Sequence, residues 1–327
     1  MAADGRDLEF DDPAGLTADN AGQRQRGGDG DGETGKMERM REGSQGVRTH
    51  DGHRWRFVDT GPGDPYFNMA LDEAVTRKVA RGMAPPTVRV YGWEPAAVSI
   101  GYAQCAQQAI DLRKCARQGI PVVRRLTGGR AVLHQREVTY SVIAGRRQWD
   151  PSATVTGIYK HIGLALVAGL RTLGIEAELS RPRPERAASP RRSGEIQPCF
   201  SSVGRYEVMV EGRKLVGSAQ RWLGEAVLQH GSVLLGAEHS RLAELLPGEQ
   251  ARSGSPEARR LSAKTVSLGD LLSRPVAHTE VARALRYGFE RILGGKLEDG
   301  PISPEEDTLA RSLIKDRYGQ LAWTLRI

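Results

Sequence analysis

Covalent chemistry in this sequence centres on Cys199, in Gln197-Pro-Cys-Phe-Ser-Ser202. A loop cysteine that follows a proline and precedes two serines is more exposed than a core thiol. Only a few per cent of such a thiol is thiolate at neutral pH, given a free pKa of ~8.5, and a nearby cation raises that share. Lys214, in Gly212-Arg-Lys-Leu-Val-Gly-Ser-Ala-Gln220, offers such a cation, or a donor to a carbonyl oxygen on which charge develops. Gly217 belongs to the same segment, and His230-Gly231 follows on the next strand. Each has a plainer reading by itself: an inert thiol, a solvated strand lysine, a structural histidine.

A second group is Val122-Val-Arg-Arg-Leu-Thr-Gly-Gly-Arg-Ala-Val-Leu-His134. Without a Cβ, Gly128 and Gly129 let backbone approach a ligand closely. Arg124, Arg125 and Arg130 beside them carry fixed-geometry donors for carbonyl or phosphate oxygens. Thr127 and His134 frame the turn. The plain alternative is a strand, a turn and a strand with surface arginines. No Walker loop, metal-ligand spacing or Ser/His/Asp motif is present.

Trp55–Asp59 reads as a strand, residues 61–65 as a turn, and Asn68–Ala80 as a helix with Asp72 and Glu73 in its first turns. Strands are expected at Thr87–Tyr91 and Ala97–Gly101, and one helix over 104–118 with Cys105 and Cys115 as small buried side chains. Ile158–Leu173 has the strongest helical period. Tyr206–Val210 and Arg213–Gly217 flank Glu211-Gly212, a hairpin signal continued by strands at 226–230 and 232–235. Residues 248–254 with Pro256 read as a linker, and helices follow at Val276–Leu293 and Pro304–Tyr318, on which Trp323 packs. The expected class is α/β (α+β): mixed sheets with flanking helices and a small C-terminal helical unit.

The 327 residues divide unevenly in composition. Residues 1–50 hold 11 Asp/Glu against 7 Lys/Arg, ten glycines and one aromatic, so they are expected to be disordered. Met37 or Met40 is then a candidate for the true translation start. The overall net charge of +7 becomes +11 over the rest of the chain, which suits an acidic partner. The expected organisation is a disordered extension over 1–50, a catalytic domain over 51–250 and a helical subdomain over 255–327. The basic Pro-rich segment Arg181–Gly194 reads as an exposed loop. Without interleaved aromatics it gives nucleic-acid binding little support. No apolar run spans a membrane and the first residues lack a secretory signal. Three cysteines cannot all pair, so a reducing cytoplasm is expected.

Several segments together resemble the biotin/lipoate protein ligase superfamily. They are Asn68-Met-Ala-Leu-Asp-Glu73, Val90-Tyr-Gly-Trp-Glu-Pro95, Ser99-Ile-Gly-Tyr102, Arg124–His134, Gly212–Gln220, Leu228-Gln-His-Gly-Ser232 and Arg317-Tyr-Gly-Gln-Leu-Ala-Trp323. Within the superfamily, Thr127-Gly-Gly-Arg130 and Pro198-Cys-Phe200 are most similar to octanoyltransferases of the LipM type. Gln135 stands where the family commonly has an aspartate.

The resemblance implies the fold of the biotin/lipoate ligase catalytic domain and a transfer of octanoyl between carrier proteins. The donor would be octanoyl-acyl carrier protein, and the acceptor a lysine of the glycine cleavage H protein or another lipoyl-domain protein. Cys199 would carry the acyl group and Lys214 would orient its carbonyl. Arg124, Arg125, Thr127, Gly128, Gly129, Arg130, His134, Gly217, His230 and Gly231 would surround the substrate. No metal or cofactor is implied. The alternatives are an ATP-dependent lipoate–protein ligase, which would take ATP and Mg, and an amidotransferase moving octanoyl between lipoyl domains.

Overall fold

In the central strands, side chains alternate between two different faces. The computed structural model describes residues 54–180, 206–248 and 254–326. Cys199, the Arg181–Gly194 segment, Met37, Met40 and the expected disorder of residues 1–50 lie outside the described residues. The central strands are β2 (Thr87–Trp93), β6 (Glu137–Gly145), β9 (Arg213–Leu223) and β10 (Ala226–Leu234). On one face Val88, Val90, Val138, Tyr140, Val142, Val216, Val227 and Val233 join the main hydrophobic core. Helices α4 (Val155–Arg171) and α7 (His278–Leu293) cover that face with Ile158, Ile162, Leu166, Val281, Leu285 and Phe289.

The intervening residues turn the other way, as the two-residue period of a strand requires. Their cross-strand register lines up Arg89 with Ser141 and His230, and Tyr91 with Thr139 and Ser232. Helix α1 (Pro65–Ala80) packs on this face and sets Asp72 against Arg89, Tyr91, Ser141 and His230.

The eight-stranded sheet runs β11-β1-β2-β6-β10-β9-β8-β7, where β1 is Trp55–Gly63, β7 Glu178–Leu179, β8 Val208–Val210 and β11 Leu297–Asp299. A separate three-stranded sheet, β4-β3-β5, comprises β3 (Ala97–Ile100), β4 (Val122–Arg124) and β5 (Val132–His134). β3 lies between the other two, parallel to β4 and antiparallel to β5. The expected strand–turn–strand is therefore two strands bridged through a third. The mixed α/β class with flanking helices stands. The 208–216 hairpin closes through Glu211 at φ 50° and Gly212 at φ 73°, the paired left-handed turn that Gly favours.

Other expectations need correction. Helix α1 starts at Pro65 with Asp64 as its cap, three residues earlier than expected. Asp72 and Glu73 are thus mid-helix and buried, and guanidiniums rather than the helix dipole balance them: Arg89 for Asp72, Arg77 and Arg317 for Glu73. The helix expected over 104–118 is two, α2 (Ala106–Ala109) and α3 (Leu112–Arg117), because Asp111 accepts from the Arg113 and Lys114 amides and caps a new start. Cys115 is buried, but Cys105 is only partly so. Strand β10 continues through Gly231 without a break.

Pro256 is not linker; it opens α5 (Pro256–Lys264) with Ser255 as cap. The short α6 (Leu268–Leu272) follows. An additional edge strand, β11, pairs parallel with β1. The described residues before 249 and after 253 belong to one compact unit. No helix among the described residues is long and apolar enough to cross a membrane.

His161 on α4 is buried edge-on against Trp149, 6.2 Å between ring centroids. Burial pushes its pKa down to about 4, opposed by a hydrogen bond to the Ile292 backbone. The unfolded chain takes up this proton near pH 6.5 and the native state does not, so stability falls as pH drops from 6.5 towards 4. The full effect is ~3 kcal/mol at ~1.4 kcal/mol per unit. His161→Leu should be less acid-sensitive: its urea midpoint should change less than that of the wild type between pH 7 and pH 4.5.

Candidate active site

A cleft opens onto part of this polar face. Met69, Tyr91, Trp93 and Val132 give it apolar walls, Gly217, Ser218, Ala219 and Gly231 a backbone edge, and Ser99, Arg125, Thr139, His134, His230 and Ser232 a polar floor. Helix α1, strands β2, β3, β5, β6, β9 and β10, and the residue after β4 bring these together from distant parts of the sequence. Five residues singled out from the sequence line it: Arg125, His134, Gly217, His230 and Gly231.

Thr127 sits one hydrogen bond behind, with its hydroxyl 2.6 Å from His230 Nε2. On the other side, His230 Nδ1 is 3.1 Å from Asp72 Oδ2. Burial alone would raise the Asp72 pKa; hydrogen bonding and charge from His230, the Arg89 charge and the Tyr91 hydroxyl outweigh it and hold the carboxyl below the ordinary range. Burial, opposed by Asp72, holds His230 below its ordinary value. A neutral imidazole facing a carboxylate carries its hydrogen on Nδ1, so Nε2 accepts from Thr127. Burial first, then Asp72, raises the Tyr91 phenol well above normal, which keeps it a donor.

A second row has the same geometry. Ser99 Oγ is 2.7 Å from His134 Nε2, and His134 Nδ1 is 3.2 Å from Glu137 Oε1. Burial would raise Glu137, but His134 and the neighbouring hydroxyls hold it ionised. Trp93 stacks on His134 at 3.9 Å and 12°, and its indole donates to Thr139 at 2.8 Å. Thr139 in turn donates to Glu137. The sequence holds no Ser/His/Asp motif, yet the fold builds two hydroxyl–imidazole–carboxylate rows. The six residues are buried, and their hydrogen bonds lock the floor in one arrangement.

The glycine turn is held from two sides. Arg125 donates to Gly128 O at 2.8 Å, Arg130 O at 2.8 Å and Ser99 Oγ at 3.0 Å. On its far side the turn presses on Gly101, where a Cβ would lie 2.1 Å from Gly129 O. Gly231 is tight for the same reason: a Cβ there would meet Gly217 O at 2.4 Å.

Arg124 does not join the cleft. It is fully buried and donates to six carbonyls, those of Gly101, Tyr102, Gln104, Trp323, Thr324 and Arg326. Trp323 Nε1 returns a bond to Arg124 O at 3.0 Å, so Trp323 packs on this strand as well as on Tyr318. Arg124→Ala would orphan these acceptors and should cost on the order of 4 kcal/mol. Limited proteolysis should then clip residues 321–326 first.

Lys214 is buried three residues along β9 from Gly217, with Nζ 3.0 Å from Glu207 Oε1. Arg130 contributes its carbonyl to the turn, and Gly128 is exposed on it. Of the two described cysteines, burial raises Cys115 to about 11, so it is an inert thiol. The roles of Asp72, Arg89, Tyr91, Ser99 and Glu137 are not apparent from the sequence motifs. One signal was available: Asn68, Asp72 and Thr76 recur every four residues on a helix, placing a polar stripe on its buried face. Asn68 and Asp72 both bind Arg89.

Residues 64–290 match the lipoyl protein ligase A/B catalytic domain. The octanoyltransferase LipM of Kyrpidia tusciae is 43% identical over 83% of this chain and 98% of its own length. That of Halalkalibacterium halodurans is 38% identical over 83% and 99%. Among solved structures, a bi-partite lipoate protein ligase from Thermoplasma acidophilum, studied with its E2 lipoyl domain, superposes with a TM-score of 0.68. It is 26% identical, over 84% of this chain and 96% of that one. With its catalytic domain and most of its length matched in this way, the chain belongs to the lipoyl protein ligase A/B catalytic-domain family, in company with the LipM octanoyltransferases.

Proposed function

We propose that this protein is an octanoyltransferase that takes octanoyl from the phosphopantetheine thioester of an acyl carrier protein onto Cys199. It then passes the group to a lysine of a lipoyl-domain protein, the glycine cleavage H protein, in the cytoplasm. The observation that carries the reading is the cleft: apolar walls of Met69, Tyr91, Trp93 and Val132 above a floor with its polar groups already paired. Such a cleft favours an alkyl chain. Burying about seven methylene-sized groups at ~0.8 kcal/mol each is worth roughly 5 kcal/mol.

The chemistry balances without a nucleotide. The Cys199 thiolate attacks the thioester carbonyl, the bond to the pantetheine sulfur breaks, and that sulfur leaves and takes a proton. The acceptor amine then attacks the new thioester, the C–N bond forms, and the Cys199 sulfur leaves with the amine proton. An amide is more stable than a thioester, so no ATP, metal or other cofactor is required. Lys214, steadied by Glu207, is the cation for the thiolate or the developing oxyanion. The basic surplus of residues 51–327 suits an acidic carrier.

Incubation with octanoyl-acyl carrier protein should add the mass of one octanoyl group at Cys199, and Cys199→Ala should show no adduct. An unmodified wild type, or an undiminished adduct in the variant, sinks the cysteine route. The likeness to a lipoate protein ligase favours a second reading, ATP-driven attachment of free lipoate; strict dependence of acceptor modification on ATP would select it.

A further inference from the structure

Beyond the cleft, positive charge is gathered around one aromatic ring. The guanidinium carbons of Arg221 and Arg326 lie 3.7 Å and 3.8 Å from the centroid of the Tyr102 ring. Two groups that close to one centroid do not fit on the same face, so they bracket it. Among the described residues neither arginine forms an ion pair with a carboxylate, and the buried Nε of Arg326 has no hydrogen-bond partner. Arg124 adds a third guanidinium: burial first, then the Arg326 charge, lowers its pKa. Hydrogen bonding from Arg326, opposed by burial and supported by Arg221, likewise draws the Tyr102 phenol below its ordinary value. Like charges crowded in this way repel, and an anion relieves them.

The bracket is attached to the acyl site. Tyr102 N donates to Thr127 O at 2.9 Å, and Arg221 Nη1 donates to Leu126 O at 3.1 Å. Arg221 lies four residues along β9 from Gly217 at the cleft edge, a span of ~13 Å at ~3.3 Å per residue.

We infer that Arg221 and Arg326, presented on the two faces of Tyr102, bind the phosphate of the donor's pantetheine arm while its acyl chain occupies the cleft. The arm contains two amides and flanking methylenes. It has the reach of roughly four extended residues, which matches the distance along the strand. Guanidiniums suit a phosphate ester because their paired N–H groups fit its oxygens. The inference rests on the acyl-carrier reading for the identity of the arm, but not for the presence of a phosphate site.

Calorimetry with 4′-phosphopantetheine, pantetheine and adenosine monophosphate separates the two. Wild-type protein should bind phosphopantetheine at least about tenfold more tightly than pantetheine, the scale of one or two charge-assisted hydrogen bonds. Arg221→Gln and Arg326→Gln, each checked for an unchanged melting temperature, should abolish that ratio and leave pantetheine binding as it was. Equal binding of the two arms to the wild type, a ratio kept by both variants, or tighter binding of adenosine monophosphate would each overturn the inference. If the phosphate ratio is present but Cys199 gains no octanoyl, the octanoyl-carrier reading fails and the phosphate site remains.

Discussion

Asp72→Asn should lower stability by about 3–5 kcal/mol, the cost of leaving a buried charge without its partner. Arg89 is fully buried, and its Nη1 meets Asp72 Oδ1 at 2.9 Å. Ser141 shares Oδ1 at 3.0 Å, while Tyr91 and His230 meet Oδ2 at 2.9 Å and 3.1 Å. Asparagine keeps the shape but replaces one acceptor with an amide donor and removes the charge, so donors then face a donor. The effect depends on pH. Because the native Asp72 pKa is depressed, its contribution is complete above the unfolded value of ~3.9 and is lost as pH falls through the native value. The gap between wild type and variant in urea midpoint should therefore be large at pH 7 and close at acid pH. An equal gap at pH 7 and pH 3 would show that the carboxylate charge is not what matters.

Gly101→Ala should reduce kcat/KM for octanoyl transfer by about 100-fold, since a displacement near 1 Å in a substrate-positioning element is enough for that loss. A methyl at Gly101 would lie 2.1 Å from Gly129 O, and backbone cannot rotate away as a flexible side chain can. The turn must lift off β3, which breaks the Arg125 bonds to Gly128 O and Arg130 O. Overpacking of this kind costs ~1–3 kcal/mol, so the variant should still fold. Gly128→Ala is the contrast. Nothing stands within 4 Å of a Cβ there and its φ is not positive, so its melting temperature should match or slightly exceed that of the wild type. Equal activity in Gly101→Ala and wild type would show that the turn does not shape the substrate site.

Local information settled a good deal. The hairpin at Glu211-Gly212, the helix over 155–171 and the strands of the central sheet follow from turn chemistry and from periods of two and near four, which act over a few residues. The motifs that carry the family resemblance also mark the segments that line the cleft: Arg125, His134, Gly217, His230 and Gly231 all reach it. The Cys199 role rests on its sequence neighbourhood alone.

What tertiary structure decided is how charge and close contact are shared between segments far apart in sequence. Asp72 and Glu73 are adjacent, and in sequence both suit the start of a helix. Only the sheet behind them assigns Asp72 to the polar row with Arg89 and His230, and only the C-terminal helical segment assigns Glu73 to Arg317 and Tyr318. Arg124 and Arg125 are equally indistinguishable as a pair. Arg124 ends β4 and Arg125 follows it in extended chain, where successive side chains point to opposite sides, so one holds the C-terminal segment and the other the glycine turn. A sequence specifies which side chains carry charge. Which partner desolvates and neutralises each one depends on distances of a few ångströms, and only the assembled sheets fix those.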